Sequence, residues 1–407
     1  MEELLGMQKL KSKLDAKSIR VKKRYDFYDM HVKIRDLKWD LPREFDVMCS
    51  VLGWCGKAVD TLADRLVFRE FENDYFDMME IFRMNNPDII TDSAILAALI
   101  GSCSFVYIAP DDDNFPRLKV IDGMNATGVI DPVTYTLKEG YAVLERDKNG
   151  NPTLEAYFTP GQTEYYPADE APYTIKNPAA YPLLVPMIYR PDATRPFGHS
   201  RISRACMDLT LEAMRTLRRA DISAEFYSYP QRYVLGMNED AENMNTWNKW
   251  QAAMSAFLRI DRDEDGNVPT VGQFQQQSMA PYTDQIRMLA GLFAGETGLT
   301  LDDLGLPSQN PSSADAIKAS HETLRLMARK AQRTFGAGLL NVGFIAACIR
   351  DDYPYLRKQV YQTKAAWEPI FEPDVAQLSG LGDAVNKIQQ AFPDYFDENK
   401  LRNLTGI

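Results

Sequence analysis

The chain has 407 residues, 45% apolar and 25% charged, with 46 Lys plus Arg against 57 Asp plus Glu and a net charge of −11. Such a composition is globular, leaves room for two or three ordinary domains and excludes a disordered chain. It also speaks against tight nonspecific duplex binding over the outer surface, although local geometry is free to present bases to DNA.

Residues 1 to about 40 carry eleven Lys and Arg against seven acids and read as a solvated helical arm. From Glu44 to Met84 the pattern is helical, with Cys49, Leu52, Val59, Leu62 and Leu66 at steps close to helical spacing, and a second helix covers Asp92 to Gly101. After Ser102 the texture changes. FVYIAP, RLKVI, GYAVLER and TLEAYF are β-rich and are separated by the turn-formers PDDDNFP, DPVT and DKNGNP, so an antiparallel meander runs to about Arg190.

A proline-rich approach leads to a helix from Ser200 to about Tyr227. Ile202, Cys206, Leu209, Ala213, Leu217, Ala220 and Ala224 share one face, with Arg201, Arg204, Asp208, Glu212, Arg215 and Arg219 opposite and Arg218 to the side. Tyr229 to Gln277 reads as a compact α/β insertion, with a β-like QRYVLGM, a Trp-bearing helix from Asn243 to Ala256 and a hairpin in FLRIDRDEDGNVPTVGQF. The helix Pro281 to Thr297 brings the chain back.

The uncharged loop LPSQNPSS, from Leu306, then meets a long helix from Ser313 to about Ile349. Pro311 stops any helix from the N-terminal side, and Ser312 with Asp315 three residues on fits a capping box. Ile317, Leu324, Met327, Ala331, Phe335, Leu339 and Val342 keep a buried stripe for about ten turns. A β-like KQVYQTKAAW and two short helices complete the chain.

Motifs for chemistry fail on inspection. DRDEDGNV from Asp261 sets Asp261, Asp263, Asp265 and Gly266 in calcium-loop register, but the twelfth position is Gly272 where a bidentate Glu is needed. His321-Glu322 opens like HExxH, yet position 325 is Arg; GHSRI at Gly198 lacks the second glycine of a nucleophile elbow. CGKA at Cys55 is no phosphate-binding loop, and no GxGxxG opens a helix. The five cysteines (Cys49, Cys55, Cys103, Cys206, Cys348) lack CxxC spacing and read as buried thiols in a reducing compartment. The N-terminus MEELLGMQKLKSKLD has no apolar signal core. Ala94 to Ile108, the longest weakly polar stretch, is shorter than the roughly 18 to 20 residues of a membrane span. The expectation is a protein made soluble in the cytosol, with no membrane partner, no catalytic residue, no metal and no cofactor.

Three stretches in order carry a resemblance: PFGHSRISRACMDLTLEAM, GETGLTLDDLGLPSQNPSSADAIKASHETLRLMARKAQRTFG and AAWEPIFEPDVAQLSGLGDAVNKIQQAFPDYFDENKLRNLTGI. Over roughly Gly198 to Ile407 the chain resembles the portal proteins of long-tailed double-stranded DNA bacteriophages, and the N-terminal half agrees in texture. The resemblance implies an α+β portal fold assembled as a ring, normally of twelve subunits. Residues 1–199 would be an α/β wing, 200–227 and 281–299 the two stem helices, and 228–280 a small α/β clip. A tunnel loop would follow at 300–313, a spine helix at 314–350, and a wing return with a short helical crown at 351–407.

It implies a conduit at one capsid vertex of the virion, through which DNA is packaged and ejected, working with a large terminase, head-completion or adaptor proteins, and major capsid and scaffolding proteins. Leu306, Ser308, Gln309, Asn310, Ser312 and Ser313 would meet the DNA. Arg201, Arg204, Arg215 and Arg219 would face the channel or a neighbouring subunit, and Tyr233, Trp247, Trp250, Arg259 and Arg262 would serve the clip interface. A polar, uncharged loop suits nonspecific passage, since each neutralised phosphate adds salt-dependent affinity and hence drag. The other readings are a different head–tail connector or minor capsid protein, and a hydrolase using His199 or His321 with a neighbouring serine.

Overall fold

The structure, a computed structural model, describes residues 4–34, 50–110, 115–228, 232–235, 270–273, 278–306, 314–371, 375–393, 395–396 and 401. The chain divides into two units. One comprises Met1–His31, Gly53–Met207 and Ala294–Ile407; the other comprises Val32–Leu52 and Asp208–Phe293.

In the first unit a buried carboxylate ties the first helix to the largest sheet. Helix α1 (Met7–Tyr28) begins where Glu139, 1% exposed, accepts the amides of Leu5 (2.7 Å) and Gly6 (3.1 Å) and the hydroxyl of Tyr157 (2.7 Å). A carboxylate there satisfies amides that no helical turn serves and complements the helix dipole. Leu10 and Leu14 then pack with Tyr141, Val143 and Tyr157, each apolar side chain contributing roughly 1.5–3 kcal/mol on full burial. Lys11 reaches Glu155 at 2.7 Å, which also accepts from Tyr141 at 2.6 Å. The arm is therefore docked, with Leu10, Leu14, Val21 and Phe27 buried, where the sequence predicted a solvated helix; its basic residues hide a four-residue apolar set.

That sheet is the later part of the predicted meander, which the structure divides between two sheets: FVYIAP and RLKVI belong to the other one. Strands β4 (Ala126–Ile130), β5 (Leu137–Arg146), β6 (Pro152–Thr159), β7 (Gln162–Pro167) and β8 (Tyr173–Lys176) pair antiparallel in chain order. The β5–β6 turn is set by Asp147, whose Oδ1 accepts the amides of Asn149 and Asn151, both at 2.8 Å. A second sheet orders β3 (Pro116–Ile121), β2 (Cys103–Pro110) and β9 (Leu184–Ile188). Strand β2 is central and buried along most of its length, which explains its run of apolar residues. Pro186, lacking an amide hydrogen, is tolerated because β9 lies on the edge.

Helices α2 (Trp54–Ala63), α3 (Met78–Arg83) and α4 (Pro87–Gly101) precede these strands. The helical pattern predicted over Glu44 to Met84 is interrupted by strand β1 (Phe68–Glu72). Phe68 and Phe71 lie on the edges of neighbouring aromatic rings (Phe82, Trp367), and β1 pairs with β12 (Lys364–Trp367), contributed from nearly three hundred residues later. Long-range pairing overrides the local helical spacing there.

Helix α5 (Arg204–Ser228) and helix α6 (Ala280–Thr297) run across the unit boundary. Within the second unit the hydroxyls of Ser223 and Tyr282 share a 2.8 Å hydrogen bond, and strands β10 (Arg232–Leu235) and β11 (Thr270–Gln273) pair antiparallel. The predicted β-like QRYVLGM thus takes TVGQ as its partner; the rest of the predicted hairpin, the Trp-bearing helix and the calcium-loop mimic up to residue 269 lie outside the described residues.

The predicted spine is two helices, α7 (Ala314–Ser320) and α8 (Glu322–Arg350), followed by a 3-10 turn (Arg357–Val360) and helix α9 (Val375–Ala391). Leu324, Ala331, Phe335, Leu339 and Val342 are buried as the stripe predicted, whereas Ile317 is 47% exposed. Small residues let α8 approach its neighbours: a Cβ on Gly343 would stand 3.0 Å from Met78 Sδ and 3.1 Å from Met78 Cβ. Among the described residues Cys55, Cys103, Cys206 and Cys348 are buried and in no disulfide, and no helix is long and apolar enough to cross a membrane.

Candidate functional site

The polar loop has both its ends in the first unit, and those ends define the site. On the near side, α6 finishes at Thr297 and the chain turns through Gly298, whose φ is +71°. A Cβ at Gly298 would meet Thr323 Cγ2 at 3.0 Å and Met327 Cε at 3.3 Å, so both the backbone and the space demand glycine. Residues 300–306 then fold back on themselves. Asp303 accepts from the amide (2.8 Å) and hydroxyl (2.9 Å) of Thr300, and the amide of Leu306 donates to Leu301 O at 3.0 Å.

On the far side, α7 and α8 break at His321. The amide of His321 donates to Lys318 O in a 3-10 step, while Ile317 O is taken by the side chains of Ser320 (2.7 Å) and His321 (Nδ1, 2.9 Å). Side chains competing for a helix carbonyl end the regular ladder. The other imidazole nitrogen reaches Asp303 Oδ2 at 3.1 Å, so one carboxylate joins the two ends of the loop. Burial alone would raise the Asp303 carboxyl, but the Thr300 amide and hydroxyl and then His321 outweigh it and hold the group below the usual carboxylate range.

Arg201 braces the base. Its guanidinium, 6% exposed, donates to Ala58 O in α2 (3.1 Å), to Thr297 O at the C-terminus of α6, and to Met327 Sδ in α8 (3.1 Å). A cation at a helix C-terminus meets an orphan carbonyl and the negative end of the dipole. Burial pulls Arg201 below the ordinary arginine value. The predicted charged face of α5 therefore loses Arg201. Helix α5 starts four residues later than the sequence suggested, because Ser200 and Arg201 are clasped to α4: Ser200 Oγ donates to Ile100 O (2.6 Å) and the Arg201 amide to Leu99 O (2.8 Å). Ser203 caps α5, accepting the Cys206 amide at 3.2 Å.

The rest of that face is present. Arg204 is exposed at the first turn of α5. Arg215 lies 3.2 Å and Arg219 3.9 Å from Glu212, so both pair within their own helix. Leu306 closes the near end of the loop, half-buried. Ser308, Gln309, Asn310, Ser312 and Ser313 lie outside the described residues, as do Trp247, Trp250, Arg259 and Arg262. Tyr233 sits in β10. Asp315 falls in the first turn of α7, and its capping partner Ser312 is outside the described residues.

The histidines proposed for hydrolysis are occupied otherwise. His199 Nε2 meets Asp192 at 2.6 Å and its Nδ1 faces Arg195 at 3.4 Å, while neighbouring Ser200 is bound to α4 carbonyls. Both nitrogens of His321 face oxygen acceptors, and Ser320 donates to a main-chain carbonyl. Ser320 Oγ does stand 3.3 Å from His321 Nδ1, but both groups lie closer to Ile317 O, so the hydroxyl is spent on a helix carbonyl and is not presented to a substrate. Among the described residues no group of three or more His, Cys, Asp or Glu is placed to hold a metal ion. Sequence reasoning missed the Asp303–His321 joint, although a TLDD turn ahead of an isolated histidine was its visible trace.

Fold and site together describe a class first: a mixed α/β framework protein whose polar side chains brace the two ends of a loop. The comparisons then give the kinship. No family model matches the chain. It is 27% identical over 329 residues to the portal protein of Mycobacterium phage L5 and 25% identical over 329 residues to that of Mycobacterium phage D29, each alignment covering 76% of this chain and 67% of the relative. The chain is a homologue of these phage portal proteins. Solved structures described as the virion of a native gene transfer agent particle (12% identity, TM-score 0.44, 87% of this chain and 89% of that one) and the neck of the native particle computed with C12 symmetry (12%, TM-score 0.42, 87% and 89%) are similar too, at scores that carry no argument.

Proposed function

We propose that this chain is a portal protein, forming the ring-shaped channel at one capsid vertex of a tailed-phage virion through which DNA is packaged and ejected. The observation that carries the reading is the 329-residue likeness to two portal proteins over three quarters of the chain. The homologues are named for a structural part rather than for an enzyme. In this reading residues 307–313 are the crest of the tunnel loop, α5 and α6 the stem, residues 228–280 the clip, and α7 with α8 the spine. The ring has twelve copies, DNA crosses it without sequence preference, and a large terminase and head-completion proteins dock on it.

Two features support assembly. Met288 (57% exposed) and Leu292 (56%) stand one turn apart on α6, and Leu326 (48%) is exposed on α8, apolar surface of the kind that subunit contacts cover. The loop base supports a channel role, since Asp303, His321 and Arg201 fix both its ends whatever the crest does.

Electron microscopy of the purified chain tests the reading. Closed rings with a central hole wide enough for duplex DNA are expected; a stable monomer at high concentration in the presence of scaffold overturns it. Removing residues 308–311 should leave rings intact while lowering the length or retention of packaged DNA, and unchanged packaging would sink the tunnel-loop assignment.

A further inference from the structure

The portal reading makes no use of a basic cleft in the first unit between α1 and the turn at residues 195–198. Lys13, Lys17, Arg20 and Arg24 recur at three- and four-residue steps and so share one side of α1. With Arg195 they line a cleft of about 360 Å³. Among the described residues none of the five is ion-paired to a carboxylate. Their hydrogen bonds run to main-chain oxygens, a thiol and an imidazole: Lys13 Nζ donates to Gly128 O (2.8 Å), Arg24 to Gly101 O (3.0 Å) and Lys17 to Cys103 Sγ (3.1 Å), and Arg195 faces His199 Nδ1 (3.4 Å). Lys13 and Lys17 also stand over the Phe197 ring, at 5.1 and 5.4 Å from its centre.

Two observations mark this cleft as suited to an anionic ligand. Thr127, wholly buried, borders it, and its hydroxyl has no hydrogen-bond partner. A buried hydroxyl without a partner is costly and uncommon. The cations also disturb one another: part burial and then the charge of Lys17 lower the Lys13 ammonium, and burial and then Arg20 lower the Arg24 guanidinium. Glu139 and Cys103 offset this only in part, and on a chain of net charge −11 such crowding of cations is not what an ordinary solvated helix face shows.

The geometry points to an anion site, and the chemistry of its donors to a phosphate group. One guanidinium fork saturates a planar carboxylate, whereas a tetrahedral phosphate offers oxygens to donors converging from two walls and to a hydroxyl beside them. The phosphate belongs either to a free ion or nucleotide tail, or to a nucleic-acid backbone or end. Both are read by the same groups.

The test is calorimetry and thermal unfolding of the full chain at fixed ionic strength, with inorganic phosphate, tripolyphosphate, a 5′-phosphorylated duplex oligonucleotide and polyglutamate as probes. Saturable binding of tripolyphosphate with a matching rise in Tm is expected. The double variant Arg20→Glu/Arg195→Glu, at exposed positions, should lose about tenfold or more in affinity, Arg20→Ala alone and Thr127→Val each about threefold, and Lys148→Glu, exposed in the β5–β6 turn, nothing. Displacement of tripolyphosphate by the duplex assigns the phosphate to nucleic acid, and binding of the small anions alone assigns it to a free ligand; both support the site. Equal affinity in wild type and double variant, no effect beyond added sodium chloride, or tighter binding of polyglutamate than of tripolyphosphate overturns it. The outcome does not depend on whether the chain forms rings.

Discussion

Helices α5 and α8 have similar lengths, 25 and 29 residues, and similar amphipathic patterns, yet they use their side chains differently. Along α8 the apolar stripe is sealed by strands and a short helix, close enough that glycines replace larger residues. Along α5 Arg215 and Arg219 stay in water and pair with Glu212 of the helix itself, while Arg218 alone of its arginines is buried, at 9% exposed. Amphipathic periodicity marks which face is apolar. It does not say whether the charged residues near a helix end remain on that helix, and Arg201 is the case in point: three residues before α5, it is a buried brace on neutral acceptors.

The largest effect expected is at that brace. Arg201→Met keeps the volume but leaves the carbonyls of Ala58 and Thr297 without their donor, and should cost about 3 kcal/mol. Urea unfolding should show a lower midpoint at an unchanged slope. A loss below about 0.5 kcal/mol would return Arg201 to the charged helix face that the sequence drew.

Next comes the sealed side of α8. Gly343→Leu drives a side chain into Met78, whose Cβ and Sδ already stand at the limit of contact, and should cost about 2 kcal/mol. The same change at exposed Ala337, on the same helix, should cost almost nothing.

Much of this was legible in sequence, and the reasons for the rest are physical. The meander could be read because each strand pairs with the next, so the signal is local: alternation, then DKNG or DPVT. Strand β1 could not, since its partner β12 lies far along the chain and only packing on Phe82 and Trp367 makes FREFE a strand. The spine stripe from Leu324 onward follows from period, but its break does not, because it depends on Ser320 and His321 turning back onto Ile317 O and on Asp303 meeting that imidazole from the other end of the loop. The brace at Arg201 was hidden for the same reason: its acceptors come from three separate segments.

The joint at Asp303 is a smaller effect. Asp303→Asn keeps the shape but removes the charge that His321 and Thr300 meet, and should cost about 1 kcal/mol. The folded carboxyl lies below its ordinary value, so its contribution is complete above the usual carboxylate range near pH 4 and is lost as pH falls through the lower folded value. Stability followed from neutral pH down to about pH 3 should therefore fall less steeply in the variant than in wild type. Parallel curves would show that the joint carries no charge-dependent stability.

The smallest effect on stability separates two meanings of the α5 face. Arg215 and Arg219 are each 42–50% exposed and both lean on one carboxylate, so replacing either by Ala should change stability by no more than about 0.5 kcal/mol. If those arginines serve only their own helix, Arg215→Glu/Arg219→Glu will leave ring formation and DNA packaging as they were. If they face a neighbouring subunit, the charge reversal will lower the yield of closed rings and restoring opposite charge on the partner surface will recover it. If they face DNA, rings will form normally and packaging will slow with a changed salt dependence, because the phosphate attraction they supply has been inverted. Rings and packaging read separately thus decide what monomer stability cannot, since in all three cases the isolated chain keeps nearly the same Tm.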